Sequence, residues 1–312
     1  MRRIEKGLRK WPKIFSKSFS HTPVMLEEIV TYLQPENKKY IVDCTLGLGG
    51  HSRRILERMN PDGVVIGLDR DEESLKLAEE KLSDYRNRIF IFNSDFSNID
   101  SILAGLRIKK ADGFLFDLGM SSFQLSLSER GFSFLKEGLL DMRMNRRDLI
   151  SAYDLVNNLS ERELSFIFRE FGQEKWHSRI ARLIVEERRK MPIVTTLQLA
   201  ELIEKHIAFR SYSSYIHSAA RIFQALRIAV NHELEFLEVA LEKSLRLLNE
   251  KGRICIISFH SLEDKIIKKI FKKAIASGEY FLITAKPLHV STSEEIDNSY
   301  SRAARLRVIE RR

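Results

Sequence analysis

Cysteine is nearly missing: Cys44 and Cys255 are the two thiols in 312 residues. Both lie inside apolar, strand-like runs, so a disulfide framework and a cysteine metal site are excluded, and two buried, reduced thiols in a reducing compartment are expected. No metal site is expected elsewhere. A run of about 18 apolar residues, which a membrane-spanning helix needs, is also missing, so no membrane partner is expected. The opening stretch MRRIEKGLRKWPKIFSKSFS lacks the continuous apolar core of a secretory signal. Its basic, serine-containing character overlaps with organellar transit peptides, which leaves an organelle as the minor alternative to a cytoplasmic setting. Internal repeats are absent.

Acidic residues are scarce at both ends. Residues 1–20 hold seven Lys/Arg against one Glu, and Arg302–Arg312 hold five Arg against one Glu, within a net charge of +9. The body between them is close to neutral. Basic arms on a neutral body suit a polyanion, because phosphate contacts supply sequence-independent affinity. The plainer alternative is two solvated basic ends without a partner.

The remaining composition, 44% apolar and 30% charged, is that of a globular chain long enough for one large or two moderate cores. From Tyr40 strand-like and helix-like segments alternate: YIVDCT, SRRILERM, GVVIGLD, DEESLKLAEEKL, RIFIFNSD, FSNIDSILAGL and ADGFLFDLG. That order predicts βαβ units on a parallel sheet. After Gly119 the alternation stops. Residues 121–145 read as a loop, and a helical block follows from about Ile150 to His206, with a capping box at Ser160 and Glu163. One or two helices over His217–Leu248 precede a return to strand character in GRICIISF, EYFLITA and RLRVIE. The expected organisation is a basic arm (1–20), an α/β domain (21–140 and 214–312) and an inserted all-helical domain (141–213).

The turn DCTLGLGGHS, residues 43–52, follows the first strand. Glycine there lets a ligand approach the backbone, and the next helix adds its dipole. Ser52 stands where a dinucleotide fingerprint has its third glycine, and Asp43 at the strand end suits a cationic or amine-bearing ligand better than a pyrophosphate. Asp69, ending the second strand, is placed for ribose hydroxyls. Asp95 or Phe96 would lie against an adenine, and Asp117 at the ligand's other end. The ordered set fits an adenosine carrying a charged tail, with S-adenosylmethionine the obvious ligand. The competing reading is that each Asp caps a helix and each Gly makes a turn.

HTPVMLEEIV, DCTLGLGGHS, GLDRD, FDLGMSSFQLSLSERGFSF, LDMRMN, FQALRIAVNHEL and ISFHSLEDKIIK, in this order over residues 21–309, closely resemble the bacterial small-subunit (16S) ribosomal RNA cytosine-N4 methyltransferase family. The resemblance implies a Rossmann-like S-adenosylmethionine-dependent methyltransferase sheet with an inserted all-helical domain, methylating the N4 amine of a cytidine. It implies cofactor contacts at Gly49, Gly50, His51, Asp69, Phe96, Asp117 and Gln124. Partners would be small-subunit ribosomal RNA or the assembled small subunit, with a homodimer as a further arrangement and bacterial cytoplasm as the setting. Leu48 replaces a usual glycine, Ser218 and Ala220 replace a usual Pro and Thr, and SRAARLRV varies a usual run. Leu48 bears on turn geometry, the others on RNA contacts.

The proline-containing Asn/Asp-Pro-Pro-aromatic turn of many amino-methyltransferases is absent; DLGMSS stands in its place. Asp117 and the SFHSLED turn, with Ser258 and His260, are then the candidates for facing the target amine, His260 also as a proton acceptor. A simple helix cap is the alternative for that turn. Arg130 and Arg143, with Phe132 and Phe134, are candidates for holding phosphates and stacking a base, or else for packing the helical insertion. Alternatives to the RNA reading are methylation of DNA cytosine or a protein amine, and a non-catalytic assembly factor retaining the cofactor fold.

Overall fold

The structure is a computed structural model that describes residues 23–207 and 212–312. The basic arm, with His21 and Thr22, lies outside the described residues. The chain runs α1 (Leu26–Leu33), β1 (Tyr40–Asp43), α2 (Gly50–Arg58), β2 (Val64–Asp69), α3 (Glu72–Lys81), β3 (Ile89–Asn93), α4 (Ile99–Gly105) and β4 (Ala111–Asp117). Then come α5 (Ser122–Ser126), α6 (Ala152–Asn158), α7 (Glu161–Glu170), α8 (His177–Arg188), α9 (Thr196–Ile207), α10 (Tyr212–Asn231) and α11 (Glu233–Leu247). The last part holds β5 (Leu248–Ser258), α12 (Ser261–Ala276), β6 (Tyr280–Leu282), β7 (Leu288–His289), α13 (Thr292–Asp297) and β8 (Arg305–Arg311).

The sheet order is β3-β2-β1-β4-β5-β8-β6, with β7 also on β8. β1 to β5 pair in parallel, whereas β8 runs antiparallel to β5 and to its other neighbours. Alternate residues of each strand enter opposite layers, as the two-residue period of a strand requires. Val42, Ile66, Phe114 and Ile256 pack on α4, α11 and α12. Ile41, Val65, Leu115 and Ile257 pack on α1, α2 and α3. Burial on both faces is why these strands are continuously apolar rather than alternating.

A separate apolar core joins α6 to α10. It begins at Phe132 and ends at Val230, so the packed helical unit reaches beyond the 141–213 span on both sides. The reason is α10, a 20-residue helix whose later turns carry Ile222, Phe223 and Leu226 into that core. His232, at φ 52, breaks the α10–α11 stretch into two helices. The segment read as loop after Gly119 contains α5, started by a capping box between Ser121 and Gln124.

Candidate functional site

The chain leaves β1 to opposite sides of the sheet through β2 and β4, so the C-terminal ends of β1 and β4 flank a topological switch point, where α/β sheets open a crevice. A cavity of about 240 Å³ opens there, many times the space one water requires. The glycine turn forms part of it. Gly47 and Gly49 adopt φ of 51° and 79°, which side chains resist. A Cβ on Gly50 would sit 2.4 Å from the Pro23 ring, so glycine lets the segment entering α1 close over the turn. His51 locks that closure through Nε2, 3.0 Å from the Val24 carbonyl, and its Nδ1 lies 3.8 Å from Asp117.

Three aspartates end neighbouring strands. Asp43 is buried and accepts the Ser52 hydroxyl at 2.6 Å and the Thr45 amide at 3.2 Å. Ser52, occupying the place of a third glycine, thus holds the acid at the start of the turn. Asp69 accepts the Gly47 amide at 2.7 Å and the Asp71 amide at 2.9 Å, joining β2 to the glycine turn. The Asp117 amide donates to Thr45 Oγ1 at 2.7 Å, and its carboxyl oxygen Oδ1 is buried without a hydrogen-bond partner. Burial pushes the Asp43 and Asp69 carboxyls up to about 6. Asp117 is pushed up to about 8 by burial, then by the charges of Asp43, Glu263 and Glu294. A cationic ligand in the cavity would relieve Asp117.

Phe96 follows β3, lines the cavity and meets Phe116 edge to face at 5.8 Å. Asp95, the other residue considered for an adenine contact, instead caps the following turn through the Ser97 amide at 2.9 Å. Gln124 is buried. Its side-chain amide donates to Asp71 at 2.8 Å while its Oε1 accepts the Ser121 amide, so it anchors the wall formed by residues 119–125. Gly49, Gly50, His51, Asp69, Phe96, Asp117 and Gln124 therefore all line one cavity.

The residues expected to meet RNA are placed otherwise. Arg130 is fully buried, bound to Asp71 at 2.9 Å, to Glu73 at 2.8 Å and to the carbonyls of Arg143 and Met144 at 3.1 Å each. Arg143 commits its guanidinium to Asp141 and the Asp148 carbonyl. Ser258 is buried beneath the β8 strand. Arg130 and Ser258 present no open contact surface, whereas Arg143 stays partly exposed while its donors are held within the loop that folds back onto α3. Phe132 packs in the helical core, as does Phe134, edge to face with Phe223 at 5.6 Å. His260 is the N-cap of α12: its Nδ1 accepts the Glu263 amide, and its Nε2 lies 3.1 Å from Glu263 Oε1.

Several lining residues escaped the sequence reading. Arg70, beside Asp69, donates to the Asn231 carbonyl at 2.5 Å and to Asp148 at 2.7 Å, and lies over the Phe236 ring. Asn231 is buried; its amide donates to the Met142 carbonyl and its Oδ1 accepts the Met144 amide. Glu233, held by Arg227 at 2.9 and 3.0 Å, and buried Glu263 complete the wall. The signal was present in FQALRIAVNHEL, whose closing residues sit where α10 breaks into α11.

A doubly wound sheet with a glycine turn and three strand-end aspartates at its switch point fits the class of Rossmann-like, S-adenosylmethionine-dependent methyltransferases. The MraW methylase family matches residues 18–312, and the chain belongs to that family. It is 46% identical over 308 residues to the ribosomal RNA small subunit methyltransferase H of Caldicellulosiruptor bescii, covering 94% of this chain and 99% of that one. It is equally 46% identical, over 305 residues, to the protein of that name from Clostridium botulinum strain Loch Maree, covering 93% and 98%.

Proposed function

We propose that this enzyme transfers a methyl group from S-adenosylmethionine to the N4 amine of a specific cytidine in small-subunit ribosomal RNA. The observation that carries the reading is Asp117: a buried carboxyl oxygen without a partner, at the switch point, beside a glycine turn. The donor set fits the cofactor, since an uncharged ligand would leave Asp117 with its burial cost and a cationic one would not. Gly49, Gly50 and His51 would hold its tail, Asp69 its ribose, Phe96 its adenine, and Asp117 and Gln124 its cationic end. When bound, it supplies an electrophilic methyl on a sulfonium.

The chain's contribution is placement. A cytosine amine is a poor nucleophile because its lone pair is conjugated into the ring, so rate comes from alignment and from acceptors for the amine protons. The arm at residues 1–20 would supply phosphate contacts; the basic run after Arg302 is instead built into β8, where Arg307 is buried on Asp264 and Arg311 donates to Glu279. The setting proposed is the bacterial cytoplasm, and the substrate is the RNA itself or the assembled small subunit.

The test is transfer of labelled methyl to small subunits and free small-subunit RNA from cells lacking this enzyme, alongside DNA and bulk protein, followed by nucleoside mass analysis. N4-methylcytidine is the expected product, and the more active of the two RNA substrates identifies the stage of assembly. Label in DNA or protein would replace the substrate. Cofactor binding without label anywhere would make the chain a non-catalytic assembly factor.

A further inference from the structure

Five carboxylates line the cavity: Asp69, Asp95, Asp117, Glu233 and Glu263. Three hold the backbone amides of the turns around them. Asp69 holds the glycine turn and the Asp71 amide. Asp95 caps its own turn and accepts the Asn98 side chain. Glu263 accepts the Phe259 and His260 amides on one oxygen and meets the His260 ring with the other. Asp117 ends β4 beside the glycine turn and suits the cofactor's cation. Glu233 remains.

Glu233 is the first residue of α11, at the helix N-terminus where a carboxylate is favoured. Buried Arg227 clamps both of its oxygens, fixing the plane of the carboxylate while leaving each oxygen a second lone pair. Its neighbours in the cavity lining come partly from the α10–α11 break and partly from the turn after β5. Asn231, Phe236 and Leu237 are among the first, with Met144 added from the folded-back loop. Ligating atoms of Glu233, His260 and Glu263 all lie within 4.8 Å of one another. That spacing could also suit a metal, but Arg227 already provides the cluster with its cation.

We propose that Glu233 is a catalytic residue that accepts a proton of the target amine, with Arg227 as its positioning residue. The inference rests on the methyl-transfer reading of the same cavity. In the step, the N4–CH3 bond forms as the S–CH3 bond breaks, and that bond's electron pair returns to sulfur. One N4 proton leaves to Glu233 and is released from there to water, so the base ends as neutral N4-methylcytosine. A preorganised acceptor contributes on the order of 100-fold or more to such a step.

The experiment compares wild type, Glu233→Gln and Glu233→Asp for cofactor affinity by calorimetry, for RNA KM and for kcat on unmethylated subunits. Both variants should keep cofactor affinity within about twofold and RNA KM within a few fold, while kcat falls about 100-fold in Gln and less in Asp. Wild-type kcat in Glu233→Gln would overturn the proposal, as would a kcat lost through chelation and restored by a divalent ion. If Glu233→Gln unfolds, Glu233→Asp decides, because it keeps the charge for Arg227: full kcat there also overturns the assignment. An inactive wild type that binds cofactor would instead remove the underlying reaction, and the proposal with it.

Discussion

Gln124 and Asp71, 53 residues apart, are joined by a buried amide-to-carboxylate hydrogen bond of 2.8 Å, and the same Asp71 oxygen receives Arg130 at 2.9 Å. The other Asp71 oxygen caps α3 through the Glu73 amide at 3.1 Å. One carboxylate therefore ties the wall of the cavity to the helix that follows the ribose-side strand. The folded-back loop depends on it too, because Arg130 also takes the carbonyls of Arg143 and Met144.

Arg130→Met should be costly for stability rather than for RNA contact. Removing one partner of a buried pair typically costs about 3–5 kcal/mol, because the remaining charge is stranded. Chemical denaturation should show a loss of that size. Unchanged stability with weakened RNA binding would restore Arg130 to the RNA surface.

Asp117 should weaken the ligand-free fold as pH rises. Its carboxyl is pushed up to about 8, chiefly by burial, whereas an unfolded aspartate titrates near 3.9. Between about pH 4 and pH 8 the native state holds a proton that the unfolded state has lost, so stability declines across that window. Asp117→Asn removes the titration. It should melt like wild type near pH 4 and higher than wild type near pH 8.5, by roughly 2 °C or more per kcal/mol relieved. Equal melting at both pH values would contradict this.

Cofactor binding should release protons near neutral pH. A cation beside Asp117 favours its ionised form, so the proton held in the free protein departs on binding. Calorimetry in buffers of different ionisation enthalpy should register a release of up to about one proton at pH 7, fading above about pH 9 as the free carboxyl ionises unaided. Uptake, or no exchange at pH 7, would place the cationic end elsewhere.

Asp69→Ala should lose cofactor affinity by about 10- to 100-fold, since a charged hydrogen-bond acceptor is worth about 1.5–3 kcal/mol. It should also lower the melting temperature, because the Gly47 and Asp71 amides lose their acceptor. Titration calorimetry and a thermal melt check both halves. Retained affinity would remove Asp69 from the site.

Deleting residues 1–20 should reduce RNA affinity at low salt and flatten its salt dependence, while cofactor affinity stays unchanged, because seven cations leave with the arm. Filter binding over a salt series measures it. Identical salt slopes for both forms would show that the arm makes no phosphate contacts.

Much of the α/β half was legible because its signals are local. Two-sided apolar strands and glycines at a strand-to-helix turn each act within a few residues. The same holds for the Ser160–Glu163 capping box, which the structure contains as expected. Arg130 shows the limit. An arginine just ahead of a glycine and two phenylalanines looks like an RNA contact in sequence, yet its partners Asp71 and Glu73 are 57 to 59 residues away.

The sequence alone determined the order of strands and helices, the glycine turn and the acids at the strand ends, since these follow from periodicity, caps and backbone freedom. The motif order also determined the family. Tertiary structure decided which polar groups face the cavity and which are consumed in holding it. Burial and long-range pairing cannot be read from spacing: Arg130 and Ser258 were drawn inward, and Asn231, Glu233 and Glu263 were brought to the wall. Asp117 has its raised pKa only because folding gathers Asp43, Glu263 and Glu294 around it and removes water.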